Sequence, residues 1–268
     1  MSLNSNSYII GFAAAVCIVC SLFVSGTAVS LKAKQKENAQ LDLQKNIISV
    51  AELPESKDIA ALSVEQINGL FAESEMPNRI EKLYIDFDNG GKIVAFDATK
   101  PEDAAKLEAD KKGCADRVKE KLEKNLAKLR CYPQYQDIYK VYNGGQFSRY
   151  ILPVVGKGLW STLKGFAAVD KEGKKVVGLT FYSHGETPGL GGEIDSVKFK
   201  GDWASGKIIY NDNQVALKVA KGTVKPKKKD YEVDGLSGAT LTGNGVSDMM
   251  QFWFGDNGYK EFLANGGK

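Results

Sequence analysis

The sequence predicts an α+β protein with a single N-terminal transmembrane helix, followed by one soluble domain in which helices flank an antiparallel sheet. Three observations support this prediction. A long uncharged stretch lies near the N-terminus, strand-like segments alternate with glycine-rich turns in the second half, and an amphipathic segment follows near the C-terminus. The chain has 268 residues, 43% of them hydrophobic and 26% charged, so its soluble part is long enough to bury a core.

The uncharged stretch runs from Tyr8 to Leu31, after a short tail of residues 1–7. About 20 apolar residues are enough to cross the hydrocarbon core as a helix, so residues 8–31 predict a single-pass membrane anchor. A cleaved signal peptide is the alternative, because the small residues Gly26 and Ala28 resemble a cleavage site. We favour the anchor, because no basic residue precedes the apolar run and its length suits a retained helix.

Residues 32–134 are predicted to form helices and one β-hairpin. Loose helical periods and a composition rich in Ala, Lys and Glu predict helices, and we assign no chemistry to the charged one. An Asp-Asn-Gly-Gly turn between two strand-like segments predicts the hairpin. The predicted helices span Lys32–Leu53, Ser63–Met76 and Pro101–Leu129, and the predicted strands span Lys82–Phe87 and Lys92–Phe96.

Residues 135–268 are predicted to form a meandering antiparallel sheet with an amphipathic helix. Short segments rich in β-branched and aromatic residues are separated by glycines and charged residues, as is typical of strands joined by tight turns. The predicted strands span Ile138–Tyr142, Tyr150–Val155, Gly165–Asp170, Lys175–Tyr182 and Ala216–Ala220, and the predicted helix spans Thr240–Phe254.

The composition gives no indication of nucleic-acid or metal binding. Lys and Arg number 36 against 33 Asp and Glu, without a basic stripe, so no nucleic-acid partner is predicted. Cys17 and Cys20 lie in the apolar stretch, and no cysteine has the spacing of a metal site, so none is predicted. In an oxidising compartment Cys114 and Cys131 could form a disulfide; two free buried thiols are the alternative.

The segment from Asp234 to Thr240 reads Asp-Gly-Leu-Ser-Gly-Ala-Thr and directly precedes the predicted C-terminal helix. The first turn of a helix has unpaired backbone N–H groups and the positive end of the helix dipole, and both favour a bound phosphate. The small residues Gly238 and Ala239 leave room for its close approach.

Two other interpretations apply to this segment. Asp234 or Ser237 could simply cap the helix, with no ligand. A hydrolase elbow fits less well, because the glycine spacing around Ser237 is one residue short and His184 is the only histidine that could serve as base.

Two further segments are rich in glycine. Residues 184–192 read His-Gly-Glu-Thr-Pro-Gly-Leu-Gly-Gly, and residues 156–161 read Gly-Lys-Gly-Leu-Trp-Ser. Glycine allows a ligand to approach the backbone, although ordinary tight turns have the same composition. Trp160 could flank a ligand or belong to the core.

Together, these three segments resemble the signatures of exported FMN-binding domains, in which the last threonine of the Asp-Gly-Leu-Ser-Gly-Ala-Thr motif carries FMN as a phosphoester. The resemblance implies that Thr240 carries covalent FMN and that a flavin transferase forms the bond. It also implies that the loop of residues 184–192 lies against the isoalloxazine ring or the ribityl chain. The implied cofactor-binding residues are Asp234, Ser237, Gly238, Ala239 and Thr240, with Glu186, Thr187, Leu190, Gly191 and Trp160.

The anchor, the charged helix and the three motifs are together similar to the family of C subunits of sodium-translocating NADH:quinone reductases. The similarity implies an electron carrier with FMN in residues 135–268 and no catalytic residues of its own. NADH, quinone and iron–sulfur sites would belong to partner subunits, and the complex would couple electron transfer from NADH to ubiquinone to sodium export. The G subunit of the related Rnf complex and an anchored binding module without a redox role are the alternatives.

The family implies a bacterial inner-membrane protein with its soluble domain on the periplasmic side. Lys32, Lys34 and Lys36 follow the anchor and no Lys or Arg precedes it, which would by the positive-inside tendency leave the soluble domain in the cytoplasm. Three lysines on one flank are a weak determinant, so we follow the family.

Overall fold

The computed structural model describes residues 6–71, 76–97 and 100–267, which divide into two units, one up to Leu43 and one from Gln44 onward. Residues 1–5 of the predicted tail and residues 72–75 of the predicted helix Ser63–Met76 lie outside the described residues. Lys268 lies outside them as well.

Helix α1 (Asn6–Ala51) forms the first unit and ends in the second. Its apolar side chains are exposed over the uncharged stretch, with Phe23 at 72%. The hydroxyls of Ser21 and Thr27 each donate to a carbonyl oxygen of the preceding turn at 2.9 Å, so they leave no unpaired donor among the apolar side chains. The stretch is long and apolar enough to cross a membrane, and the two helices predicted from residue 8 to residue 53 are one continuous helix.

The second unit is built around a seven-stranded sheet. Its strands are β1 (Arg79–Asp86), β2 (Lys92–Val94), β3 (Tyr135–Asn143), β4 (Gln146–Lys157), β5 (Thr162–Asp170), β6 (Lys175–Ser183) and β7 (Lys207–Ile208). Their order is β2-β1-β3-β4-β5-β6-β7, and every neighbouring pair is antiparallel. This confirms the predicted fold class and the predicted hairpin. The β1–β3 pairing also joins the predicted parts 32–134 and 135–268 in one sheet.

The remaining elements are short strands and helices around this sheet. The short strands are β8 (Tyr210–Asn211), β9 (Gln214–Val215), β10 (Lys218–Val219) and β11 (Glu232–Val233). Strand β8 pairs antiparallel with β9, and β10 pairs parallel with β11. The helices are α2 (Val64–Leu70), α3 (Pro101–Lys121), α4 (Val197–Ala204), α5 (Thr240–Trp253) and α6 (Lys260–Ala264).

Both faces of the sheet are covered, so its strands are buried on both sides. On one face, the end of α1 crosses β6, where Val50 lies over Gly178 and Thr180 donates to Asn46 at 3.2 Å. The opposite face carries the larger core, with α4, α5 and α6 packed on it. Trp203, Met249 and Phe262 from these three helices are fully buried there.

Several predicted elements are wrong in their extent. The helix predicted over Ser63–Met76 is the shorter α2, which ends at Leu70, and the strand predicted over Lys92–Phe96 ends at Val94. The helix predicted over Pro101–Leu129 ends at Lys121, because the segment that follows turns back and buries Leu122 and Leu129 in the core. A disulfide between Cys114 and Cys131 closes this turn, so the free-thiol alternative is excluded. The strand predicted over Ala216–Ala220 is reduced to the two-residue strand β10, which pairs with β11.

Candidate functional site

The predicted phosphate-binding motif ends where α5 begins, at Thr240. Within the described part of the chain, no acceptor is bonded to the backbone N–H groups of residues 240–242, and the first helical bond runs from Gly243 N to Ala239 O at 3.0 Å. The N-cap residue is Ala239, and no side chain caps the helix. The interpretation that Asp234 or Ser237 caps the helix is therefore wrong.

The two threonines of the first turn differ in exposure. Thr240 is exposed at the surface, as are Ser237 and Gly238 before it. Thr242 is fully buried, and its hydroxyl donates to Oε2 of Glu186 at 2.7 Å. The structure therefore leaves the hydroxyl of Thr240, and not that of Thr242, accessible at the start of the helix.

Glu186 joins all three glycine-rich segments. It is 5% exposed, and its carboxylate accepts hydrogen bonds from the backbone N–H groups of residues 159, 160 and 161 at 3.0–3.2 Å, besides the bond from Thr242. Burial opposes ionisation of Glu186, but the bond from Thr242 and then those from the backbone outweigh it, so its pKa is lowered. An ionised carboxylate offers only acceptors, which is what this set of donors requires.

The glycines beside Glu186 make room for its carboxylate. A Cβ at Gly158 would lie 2.6 Å from Oε1, and a Cβ at Gly191 would lie 2.9 Å from Oε2 and 2.6 Å from Oγ1 of Thr242. Any larger residue at these positions would displace the carboxylate. Gly191 therefore serves the interior of the site, where it is buried.

The loop that follows Glu186 turns sharply and exposes its tip. Thr187 O accepts from Leu190 N at 3.1 Å, and the turn has Pro188 second and Gly189 third with φ +75°, which is the pattern of a type II turn. Thr187 is exposed, and Leu190 is 45% exposed with its Cδ2 2.9 Å from a Cβ built on Gly238. The turn thus brings Leu190 against the motif that precedes α5.

Four large apolar side chains are exposed in these segments and at the start of α5. Leu159 is 41% exposed, Trp160 68%, Leu190 45% and Leu241 60%. Trp160 is therefore not a core tryptophan. Because Glu186 binds the backbone on either side of Trp160 and the start of α5, these side chains belong to one region of the surface, in which apolar groups are held in contact with solvent.

Asp234, at the start of the motif, has both carboxylate oxygens engaged. Oδ1 accepts from Val224 N at 2.9 Å, and Oδ2 forms an ion pair with Lys198 of α4 at 3.2 Å. The bond from Val224, and then Lys198, lower its pKa against the opposing effect of burial. Asp234 thus fixes the start of the motif and does not reach the N–H groups of α5 as a cap.

Sequence reasoning missed three residues that build this site. Ser161 accepts from Gly185 N at 2.6 Å, Thr242 donates to Glu186, and His184 accepts from Glu186 N through Nδ1 at 3.2 Å. Their position within or beside the motifs was the only available signal, because each acts through a residue distant in sequence or through the backbone. The structure brings together the three segments that contain the ten predicted cofactor-binding residues.

Comparison with known proteins agrees with this geometry. Residues 158–255 match the FMN-binding domain family. The C subunit of the Na(+)-translocating NADH-quinone reductase of Yersinia pestis is 39% identical over 249 residues, which cover 92% of this chain and 88% of that protein. The protein of the same name from Pseudomonas aeruginosa is 40% identical over 253 residues, which cover 93% of this chain and 92% of that protein.

Solved structures show the same relationship. The crystal structure of Shewanella oneidensis NqrC matches with a TM-score of 0.69 and 28% identity, over 87% of this chain and 98% of that one. The corresponding reductase subunit from Parabacteroides distasonis matches with a TM-score of 0.59 and 26% identity, over 87% and 96%. On the extent of these similarities and the FMN-binding domain at the site, the chain belongs to the family of C subunits of Na(+)-translocating NADH-quinone reductases.

Proposed function

We propose that this chain is an electron-carrier subunit of a sodium-translocating NADH:ubiquinone reductase and holds FMN covalently, through a phosphoester to Thr240. The observation that carries the proposal is the contrast between the two threonines of α5. Thr240 presents its hydroxyl to solvent beside the N–H groups of residues 240–242, for which the described residues offer no acceptor, whereas Thr242 is buried and bonded to Glu186. A phosphate on Thr240 would meet those N–H groups and the positive end of the helix dipole.

The surroundings of Thr240 fit a flavin. The exposed apolar side chains at residues 159, 160, 190 and 241 offer a surface for a planar aromatic ring, and Thr187 lies on the same loop as Leu190. Ser237, Gly238 and Ala239 form the approach to the phosphate, where Gly238 has φ +67° and no Cβ to obstruct it. We assign Trp160 and Leu190 to ring contacts.

Asp234, Glu186 and Gly191 would act on the flavin by shaping its site. Both oxygens of Glu186 and of Asp234 are engaged by protein donors, so these carboxylates hold the segments that contact the ring and the phosphate. FMN supplies one-electron transfer when bound, and the protein sets its position, its solvent access and the charge around it. The chain would therefore relay electrons between redox centres of partner subunits.

The periplasmic side of the inner membrane is the proposed location of the soluble domain. The disulfide between Cys114 and Cys131 supports it, because disulfides persist in oxidising compartments and are rare in the cytosol. This argument is independent of the family and opposes the charge distribution around the anchor. A flavin transferase acting on the same side would complete the proposed maturation.

The test is in-gel flavin fluorescence under denaturing conditions, after co-expression of the exported full-length chain with a flavin transferase. We expect a fluorescent band for the wild type and for Ser237→Ala, and none for Thr240→Ala. Ser237 is the matched control, because it is an exposed hydroxyl in the same motif. Fragment-ion mass spectrometry of the peptide between Lys229 and Lys260 would distinguish Thr240 from Thr242.

Two results would contradict the proposal. A dark wild-type band, with the transferase active on a control protein, would indicate an anchored binding module without a flavin. A fluorescent Thr240→Ala band would place the flavin on another residue. Copurification of the wild type with a ferredoxin-oxidising complex, in place of an NADH-oxidising one, would favour the Rnf alternative.

A further inference from the structure

His184 is the only histidine of the chain, and both of its ring nitrogens have partners at the edge of the proposed flavin site. Nε2 lies 2.6 Å from Oδ2 of Asp195, and Nδ1 lies 3.2 Å from the backbone nitrogen of Glu186. A backbone N–H group can only donate, so Nδ1 has to accept. The neutral imidazole therefore carries its proton on Nε2 and donates it to Asp195.

The bond at Nδ1 is part of the support of Glu186. The N–H groups of Gly185 and Glu186 are held by Ser161 Oγ at 2.6 Å and by His184 Nδ1. The carboxylate of Glu186 in turn holds the backbone of Trp160 and the hydroxyl of Thr242. A change at Nδ1 of His184 would thus act, through Glu186, on both sides of the proposed flavin site: the turn that carries Trp160 and the start of α5.

We propose that His184 is a pH-sensitive positioning residue, whose neutral form with the proton on Nε2 keeps the flavin site assembled. This inference rests on the proposed function. If Nδ1 were protonated, its N–H group would face the backbone N–H group of Glu186. Two donors cannot bond to each other, so the loop would have to move away from the imidazole. Glu186 would then lose its fixed backbone, and the apolar side chains would no longer be held against the flavin ring.

The charged groups around the imidazole come from three segments. Asp195, in the turn before α4, faces Nε2. Lys200 of α4 pairs with Oδ1 of the same carboxylate at 3.1 Å. Glu186, on the loop of His184 itself, directs its carboxylate to the backbone of residues 159–161 and not to the imidazole.

The experiment compares three forms of the exported, flavin-carrying full-length chain in detergent. His184→Asn keeps an acceptor oxygen near the position of Nδ1 and does not titrate, whereas His184→Ala removes the acceptor. The fluorescence of the attached flavin, which a nearby tryptophan quenches, is measured between pH 5 and 8, the range in which histidines change charge. The same chains unfolded in urea correct for the intrinsic pH dependence of the flavin.

We expect wild-type fluorescence to be quenched at pH 8 and to rise as the pH falls to 5. His184→Asn should stay quenched throughout, and His184→Ala should be bright throughout. Circular dichroism has to show that the fold persists across this range.

A wild-type signal that does not change with pH would overturn the inference, as would a His184→Asn signal that rises like the wild type. If His184→Ala does not fold, the comparison of wild type with His184→Asn decides alone. Failure of the proposed function looks different, because the wild type would then carry no covalent flavin at any pH.

Discussion

At the scale of single residues, the site depends on a buried carboxylate whose charge is stabilised by donors. Hydrogen bonds to a charged group contribute about 1.5–3 kcal/mol each, and leaving a buried donor unpaired costs a similar amount. Glu186 accepts from three backbone N–H groups and from Thr242. Its contribution should therefore be visible in stability as well as in flavin attachment.

We expect Glu186→Gln to lower the free energy of unfolding by about 2 kcal/mol. The side-chain amide would replace one acceptor oxygen by an NH2 group, and this donor would face the N–H and hydroxyl donors that now bind the carboxylate. Denaturant unfolding of the full-length chain in detergent, followed by tryptophan fluorescence, measures this change. Glu193→Gln is the matched control, since Glu193 is exposed in the turn that follows the same loop. Equal stabilities of the two variants would show that the Glu186 carboxylate does not hold the loop.

The lowered pKa of Glu186 also predicts how this contribution depends on pH. A carboxylate whose pKa is lower in the folded state stabilises the fold fully above its unfolded pKa of about 4.3, and loses this effect as the pH falls through the folded pKa. The difference in unfolding free energy between wild type and Glu186→Gln should therefore shrink below about pH 4.3. A difference that grows on acidification would have the wrong sign for this mechanism.

Sequence reasoning predicted which residues belong to the site but not how Glu186 acts. The motif around Thr240 could be recognised in the sequence because its residues are contiguous and precede a helix. The bond between Thr242 and Glu186 joins positions 56 residues apart, and the bonds to residues 159–161 span 25 to 27 residues. Such pairings are set by the packing of α5 on β4, which no local pattern encodes.

At the scale of elements, α5 lies so close to β4 that glycines are required at their contact. A Cβ on Gly245 would collide with the carbonyl oxygen of Lys157 and would lie 3.2 Å from the Cα of Gly158. This contact places the start of α5 beside the turn that carries Trp160. The close packing of α5 on β4 therefore holds two parts of the proposed site together. One is the start of the helix, and the other is the turn that would contact the flavin ring.

Two glycine-to-alanine substitutions within helices should consequently have opposite effects on stability. Alanine is usually better than glycine in a helix by about 0.5–1 kcal/mol. We expect Gly113→Ala in α3 to follow this rule, because nothing lies within 4 Å of its added Cβ. Gly245→Ala should destabilise, by about 1–3 kcal/mol for overpacking. Thermal unfolding of both variants tests this, and stabilisation by both would mean that α5 can move away from β4.

The disulfide between Cys114 and Cys131 closes a loop with a sequence separation of 17. Loop-entropy arguments give about 3 kcal/mol for a bridge of this span. We therefore expect Cys131→Ser to lower the unfolding free energy by about 3 kcal/mol, and a reducing agent to bring the wild type to the same value. Cys17→Ser is the control and should change neither result. A wild type that is insensitive to reduction would contradict the bridge.

The predicted elements with strong periodicity agree with the structure, and the weakly patterned ones do not. The strands β3 to β6 and helix α5 were predicted within a few residues, because their alternation or amphipathicity extends over many positions. The end of α3 was missed, since Ala, Lys and Glu continue past Lys121 while the disulfide and the buried Leu122 turn the chain. Strands of two residues, such as β10, carry too few positions for any pattern.

At the scale of the whole molecule, two features of the chain point to opposite sides of the membrane. Lys32, Lys34 and Lys36 after the apolar stretch favour a cytoplasmic soluble domain, whereas the disulfide favours an oxidising compartment. The positive-inside tendency is a bias in insertion, but a persistent disulfide requires the compartment itself to be oxidising. We therefore give more weight to the disulfide.

Counting reactive thiols in cells resolves this conflict. The chain has four cysteines, of which Cys17 and Cys20 are free and lie in the apolar stretch. After rapid denaturation with a polymer-linked maleimide, we expect a gel shift of two thiols without reduction and of four after reduction. Cys17→Ser should lower each count by one, which calibrates the shift. Four reactive thiols before reduction would mean that Cys114 and Cys131 are reduced, and the proposed periplasmic location would then lose its independent support.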